Sequence, residues 1–191
     1  MTALYPEQKI NVINAGIADQ RSTEMLARLQ KDVLSRKPNL VTISVGINDV
    51  WRGFQGNHPT GNGPQGVSLD DFTHNVEEIV SKIVKSGAKV VLLSTTVITE
   101  EPKAIENKKL LDYNRALRQI AKKHNVIFVD LQKSFHKAIN LYYDPSPAHK
   151  KVMTTDGVHL NAAGNRVMAK SILNALGVTP LMRMPVRKSI E

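Results

Sequence analysis

The chain has 191 residues, 41% of them hydrophobic and 23% charged, with no cysteine and a formal net charge of +9. That size and balance suit one globular domain with its own core, and they exclude a disulfide framework and a cysteine-based zinc site. No apolar run approaches the roughly 18 residues a membrane span needs, and the positive charge is dispersed without an RNP-like or helix-turn-helix pattern, which argues against nucleic acid as a partner.

In chain order, the first apolar run is "INVINA" at residues 10–15. It is β-branched-rich and nearly continuous, the pattern of a strand buried on both faces of a parallel sheet. Leu26, Leu29 and Val33 then mark a helix face. A second run, "LVTISVGI" at residues 40–47, predicts another strand. The segment that follows, residues 51–68, carries five glycines and two prolines without an apolar period. It predicts a long functional loop leaving the carboxyl edge of the sheet, where ligands bind in open α/β folds. Phe72, Val76, Ile79 and Ile83 mark a helix, with Ser68 as its N-cap and Gly87 as its stop. "KVVLLST" (89–95) and "VIFVDL" (126–131) predict two more strands, separated by a helix marked by Leu110, Leu117, Ile120 and Ala121. A last helix carries Val167, Met168, Ile172 and Leu176 and stops at Gly177. Strand–helix alternation of this kind predicts a three-layer α/β domain over residues 1–178, followed by a basic tail over 179–191.

Three short stretches carry chemistry. In "TTDGVHLNAAG" (154–164), Asp156 and His159 stand three residues apart at a helix entrance. A histidine acting as general base needs one ring nitrogen held by an acceptor, so that the other faces the substrate in the right tautomer. A turn-capping aspartate beside a surface histidine is the plainer alternative. In "VGINDVWRGF" (45–54), Asn48 and Asp49 follow a buried strand. An Asn amide there can donate to a developing oxyanion, or it can simply end the strand in a turn. In "VINAGIADQRSTEMLARL" (12–29), the turn between strand and helix presents backbone N–H groups at the same edge.

Taken together, these pieces resemble the SGNH hydrolases, the GDSL-type esterase and lipase family. "NAGIADQRSTEMLARL" (14–29) is similar to the family's second conserved block, "VGINDVWRGF" to its third and "DGVHLNAAG" to its last, so that the resemblance spans roughly residues 10–176. It implies a flavodoxin-like sandwich with a parallel sheet and ester hydrolysis without cofactor or metal. His159 would be the base, Asp156 its orienting carboxylate, and Asn48 with the backbone N–H of Asp19 the oxyanion hole. The substrate would be a small-molecule ester or an acylated carbohydrate. The flavodoxin-like nucleotide-binding alternative lacks a glycine-rich phosphate loop.

Two features depart from the family. Asp19 stands where the family usually has a glycine, and a carboxylate beside a developing oxyanion repels it. The family's Gly-Asp-Ser block, with its nucleophilic serine and first strand, has no match among the eleven serines here. No nucleophile is therefore identified. The chain reads as an incomplete esterase, as a non-catalytic ester- or glycan-binding pseudoenzyme, or as an enzyme using another serine, with Ser22 and Ser94 nearest the expected site. The compartment is not legible: cytoplasmic if Met1 is the true start, with secretion left open if the N-terminus is missing. Oligomeric state is not legible. In the family, the missing strand lies between those matching 10–15 and 40–47. Without it these two are expected to pair directly, or to take a segment from another chain, or to leave a poorly folding protein, because unpaired buried backbone groups cost about 1–3 kcal/mol each.

Overall fold

The structure, a computed structural model, describes residue 7, residues 9–142 and residues 151–178. The basic tail expected at 179–191 lies outside the described residues. Three strands, β1 (Leu40–Ile43), β2 (Lys89–Leu93) and β3 (Ile127–Val129), form a parallel sheet in the order β1-β2-β3. The register sets Val41 against Val90 and Leu92 against Phe128.

Side-chain alternation along β2 produces the three layers. Val90 and Leu92 join a core cluster with residues of α1 (Ser22–Asp32), α3 (Leu69–Lys85) and α4 (Ile105–Lys123). Val91 and Leu93 point the other way and meet α5 (Leu131–Tyr142) and α6 (Ala162–Ala175). A strand sandwiched between helices on both faces buries nearly every side chain, and four of the five residues of β2 are buried.

The helix signals hold in detail. Ser68 Oγ accepts the Asp71 N–H at 3.1 Å as the N-cap of α3, and Phe72, Val76, Ile79 and Ile83 are all buried. Gly87 lies just past the helix at φ 87°, in the left-handed region that favours glycine. Helix α5 has no counterpart in the sequence reading. Its signal is nevertheless there: Leu131, Phe135 and Ile139, all buried, recur every fourth residue, and Asp130 Oδ1 caps the Lys133 N–H at 3.0 Å. It is hidden because β3 runs into it without a breaking residue.

One expected strand does not form. Residues 10–15 have no strand pairing, and Val12 and Ile13 are 74% and 46% exposed. Apolar sequence alone does not make a strand; a ladder needs a partner for its N–H and C=O groups. Among the described residues nothing pairs with the outer edge of β1. The direct pairing of 10–15 with 40–47 is thus absent as well. The second run is also shorter as a strand than expected: it turns at Gly46 and continues as a short helix, α2 (Ile47–Trp51). Among the described residues no helix is long and apolar enough to cross a membrane.

Candidate active site

The loop from 151 to 161 precedes α6. Thr154 and Leu160 form an antiparallel bridge, and the Thr155 N–H donates to His159 O at 2.8 Å. Gly157 turns the tip at φ 111°, where a Cβ would stand 3.3 Å from the backbone of Thr99. Inside this turn Asp156 Oδ1 accepts the N–H groups of Val158 and His159 at 2.9 and 2.8 Å, and Oδ2 lies 2.6 Å from His159 Nδ1. The imidazole hydrogen bond, helped by the two backbone donors, holds the Asp156 carboxyl well below the usual carboxylate range. A carboxylate can only accept, so Nδ1 carries the proton and Nε2 is left as the base. Both side chains are open to solvent.

Asn161 fastens the loop to the helix. Its Oδ1 accepts from the N–H groups of Ala163 and Gly164, and its Nδ2 donates to the carbonyls of Val152 and Thr154. Sequence reasoning passed over Asn161, although an Asn before an apolar helix is an N-cap signal.

The second group lies at the carboxyl end of the adjacent strand. Gly46 turns the chain at φ 115°, and a Cβ there would fall 2.8 Å from Thr95 Cγ2. This sharp exit places Asn48 in the first turn of α2, where Nδ2 donates to Gln20 O at 3.1 Å. One of the two amide hydrogens remains for a ligand. Asn48 thereby ties α2 to the 14–20 turn that presents Asp19. The dyad loop lies at the same carboxyl edge, where Glu100, in the loop that follows β2, accepts the N–H groups of Val152, Met153 and Thr154.

Asp19 adopts φ 69°, the conformation a glycine would take at no cost. Its carboxylate forms an ion pair with Arg52, whose Nη2 also reaches Asp19 O at 3.2 Å. The negative charge that was expected to repel an oxyanion therefore has its own counter-ion. Arg52 was not singled out from the sequence, and it could not have been, since only folding brings it to Asp19. Asp49, the neighbour of Asn48, has a structural role: it is 1% exposed and its Oδ1 accepts the Ser22 N–H at 2.9 Å. Burial raises its carboxyl above the ordinary value.

The two serines considered as substitutes are sealed. Ser22 is 0% and Ser94 1% exposed. Ser22 Oγ accepts from Asn75, and Ser94 Oγ donates to Thr95 O while accepting the Gln132 N–H. Neither can meet an ester without local unfolding. An open groove of about 770 Å³ between the glycine-rich loop and α4 is lined by residues such as Asn62, Lys109 and Tyr113 and contains none of Asn48, Asp156 and His159. The hydrogen-bonded dyad is the better guide to chemistry, because a cavity carries no reactive group by itself.

An acetylxylan esterase from Geobacillus stearothermophilus is 33% identical over 178 residues, covering 93% of this chain and 77% of the relative. The crystal structure of a catalytic mutant of Axe2, an acetylxylan esterase from the same organism, superposes with a TM-score of 0.81 at 29% identity, over 93% of this chain and 77% of that one. An α/β hydrolase enzyme from the metagenome of Lake Arreo, Spain, gives a TM-score of 0.79 at 28% identity over the same shares. Residues 2–167 match the GDSL-like Lipase/Acylhydrolase family, and the chain belongs to that family of SGNH-type esterases and acylhydrolases.

Proposed function

We propose that the chain carries the base and oxyanion parts of a site that hydrolyses acetyl esters of saccharides or comparable small esters. The observation that carries this reading is the Asp156–His159 pair, with Nδ1 held by the carboxylate at 2.6 Å and the imidazole open to solvent. Nε2 of His159 takes the proton of the attacking oxygen, Asp156 keeps the tautomer and stabilises the imidazolium, and Asn48 Nδ2 with the Asp19 N–H faces the developing oxyanion. Arg52 offsets the Asp19 charge. The saccharide acetyl ester is supported by similarity to the acetylxylan esterases. The nucleophile is unassigned, since neither Ser22 nor Ser94 is accessible.

The test is acetate release from p-nitrophenyl acetate and from acetylated xylooligosaccharide by the purified chain and by His159→Ala. Slow turnover is expected from the chain, lost by about a hundredfold or more in His159→Ala, in keeping with general acid–base contributions of 10²–10⁴. Equal turnover by the two proteins overturns the reading. A second reading, binding of the acetylated saccharide without cleavage, is favoured by the sealed serines. It predicts saturable binding that Asn48→Ala weakens, with no acetate released.

A further inference from the structure

Glu100 is buried, 4% exposed, in the loop between β2 and α4, and among the described residues no ion pair holds it. Four donors from the dyad loop converge on its carboxylate instead. Oε2 accepts the Val152 N–H at 2.6 Å. Oε1 accepts the N–H groups of Met153 and Thr154 at 2.8 and 2.6 Å and the Thr154 hydroxyl at 2.6 Å. Charge-assisted hydrogen bonds of this kind are the strong ones, and three successive backbone donors aimed at one carboxylate fix the path of the chain, not merely one rotamer.

The clamp is braced from behind. Thr99, a β-branched residue, is held at φ 63°, a conformation such residues rarely take. That bend turns Glu100 inward. Asn107 of α4 keeps it bent: its Oδ1 accepts the Ile98 N–H at 2.9 Å, and its Nδ2 donates to the carbonyls of Thr99 and Glu101. On the far side, Thr154 Oγ1 accepts the Gly157 N–H at 3.1 Å, next to Asp156. A continuous path thus runs from α4 through Asn107, the Thr99 bend, Glu100 and Thr154 to the turn that carries Asp156 and His159. Backbone strain in such a setting points toward a functional constraint.

We infer that Glu100 is a positioning residue: its carboxylate sets the turn in which Asp156 meets His159 Nδ1, and so selects the tautomer that leaves Nε2 as the base. The inference rests on the reading of Asp156 and His159 as the catalytic pair. Its test does not need turnover, so a failed esterase assay and a failed clamp are separate results.

The readout is the tautomer of the His159 imidazole, followed by long-range proton–nitrogen-15 correlation in the whole chain above the imidazole titration. The signal is assigned with His159→Gln. Wild type is expected to show the Nδ1–H form. Glu100→Gln keeps the side-chain shape but turns an acceptor into an N–H₂ that faces at least one of the four donors, and it should shift His159 to the Nε2–H form with His124 and His136 unchanged. Thr154→Val, which removes both the hydroxyl donor to Glu100 and the acceptor of the Gly157 N–H while leaving Glu100 in place, breaks the path between them, should give a shift of the same kind and covers the case in which Glu100→Gln does not fold. A folded Glu100→Gln that keeps the wild-type tautomer overturns the inference. So does a change in all three histidines in both variants accompanied by loss of cooperative unfolding, which would make Glu100 a general stability element.

Discussion

The dyad loop and the N-terminal edge face the same end of the sheet but are built in opposite ways. In residues 151–161 almost every polar group has a named partner: Asp156, Asn161, Thr154 and Glu100 together satisfy the backbone of the turn. Residues 10–19 rest on few contacts, chiefly Arg28 to Ala15 O at 2.7 Å, Asn14 to the Gly16 N–H and the Arg52–Asp19 pair, while Val12, Ile13 and Ile17 stand exposed. The first region shows that a loop can be as determined as a strand when side chains replace the ladder. The second shows that an apolar run without a pairing partner remains a surface segment. Exposed apolar side chains at an open sheet edge are also a site for association.

Glycine substitutions put this contrast to its strongest test. Gly164→Ala places a Cβ 2.2 Å from Met153 O, a backbone atom of the dyad loop. Thermal unfolding should show a loss of about 3 kcal/mol, at the upper end for overpacking. Gly16→Ala meets only the Asn14 side chain, at 3.1 Å, and that side chain can move. The change there should stay within about 0.5 kcal/mol. Similar losses at the two positions would erase the distinction between the regions.

A smaller effect is expected at the groove between the glycine-rich loop and α4. Tyr113, packed on Phe72 with ring centroids 4.8 Å apart, donates to Val67 O at 2.5 Å and ties the glycine-rich loop to α4. Burial pushes its hydroxyl up to about 12. Tyr113→Phe leaves the Val67 carbonyl unpaired and should cost about 1–2 kcal/mol in denaturant unfolding.

Asp49 gives a pH-dependent comparison. Because burial raises its carboxyl in the folded state, the folded protein holds that proton more tightly than the unfolded chain does, and this contribution to stability is lost as pH rises from the unfolded value through the folded one. Asp49→Asn keeps an oxygen for the Ser22 N–H and removes the charge. The variant should melt with wild type in acid and above it at neutral pH; a difference of opposite sign would mean that the hydrogen bonds with Ser22, with a smaller contribution from the Arg21 charge, outweigh the burial. The smallest change belongs to the open edge. Ile17→Ser, at a side chain 53% exposed, should alter stability by no more than about 0.5 kcal/mol, while lowering any self-association seen by sedimentation.

Much of the fold was legible in the sequence because periodicity reports burial directly. The 72–83 and 110–121 patterns name side chains that are buried in α3 and α4, and "KVVLLST" contains a strand buried on both faces. Helix α5 was missed because Asp130 both ends β3 and caps the helix, leaving no punctuation between them. Asp156 and His159 were legible as a candidate pair because only three residues separate them, within the span of one turn, although the path of that turn is tied to the distant Glu100.

What the sequence by itself determined is therefore whatever neighbours in the chain can arrange: helix faces, caps, the dyad and the family motifs around it. The tertiary structure decided the rest, because those contacts join residues far apart in the chain. Arg52 answers the charge of Asp19 across 33 positions, and Glu100 holds Thr154 across 54. Residues 10–15 remain outside the sheet for the same physical reason. Hydrogen bonding between strands is a property of pairs, and no amount of β-branched sequence supplies the second member.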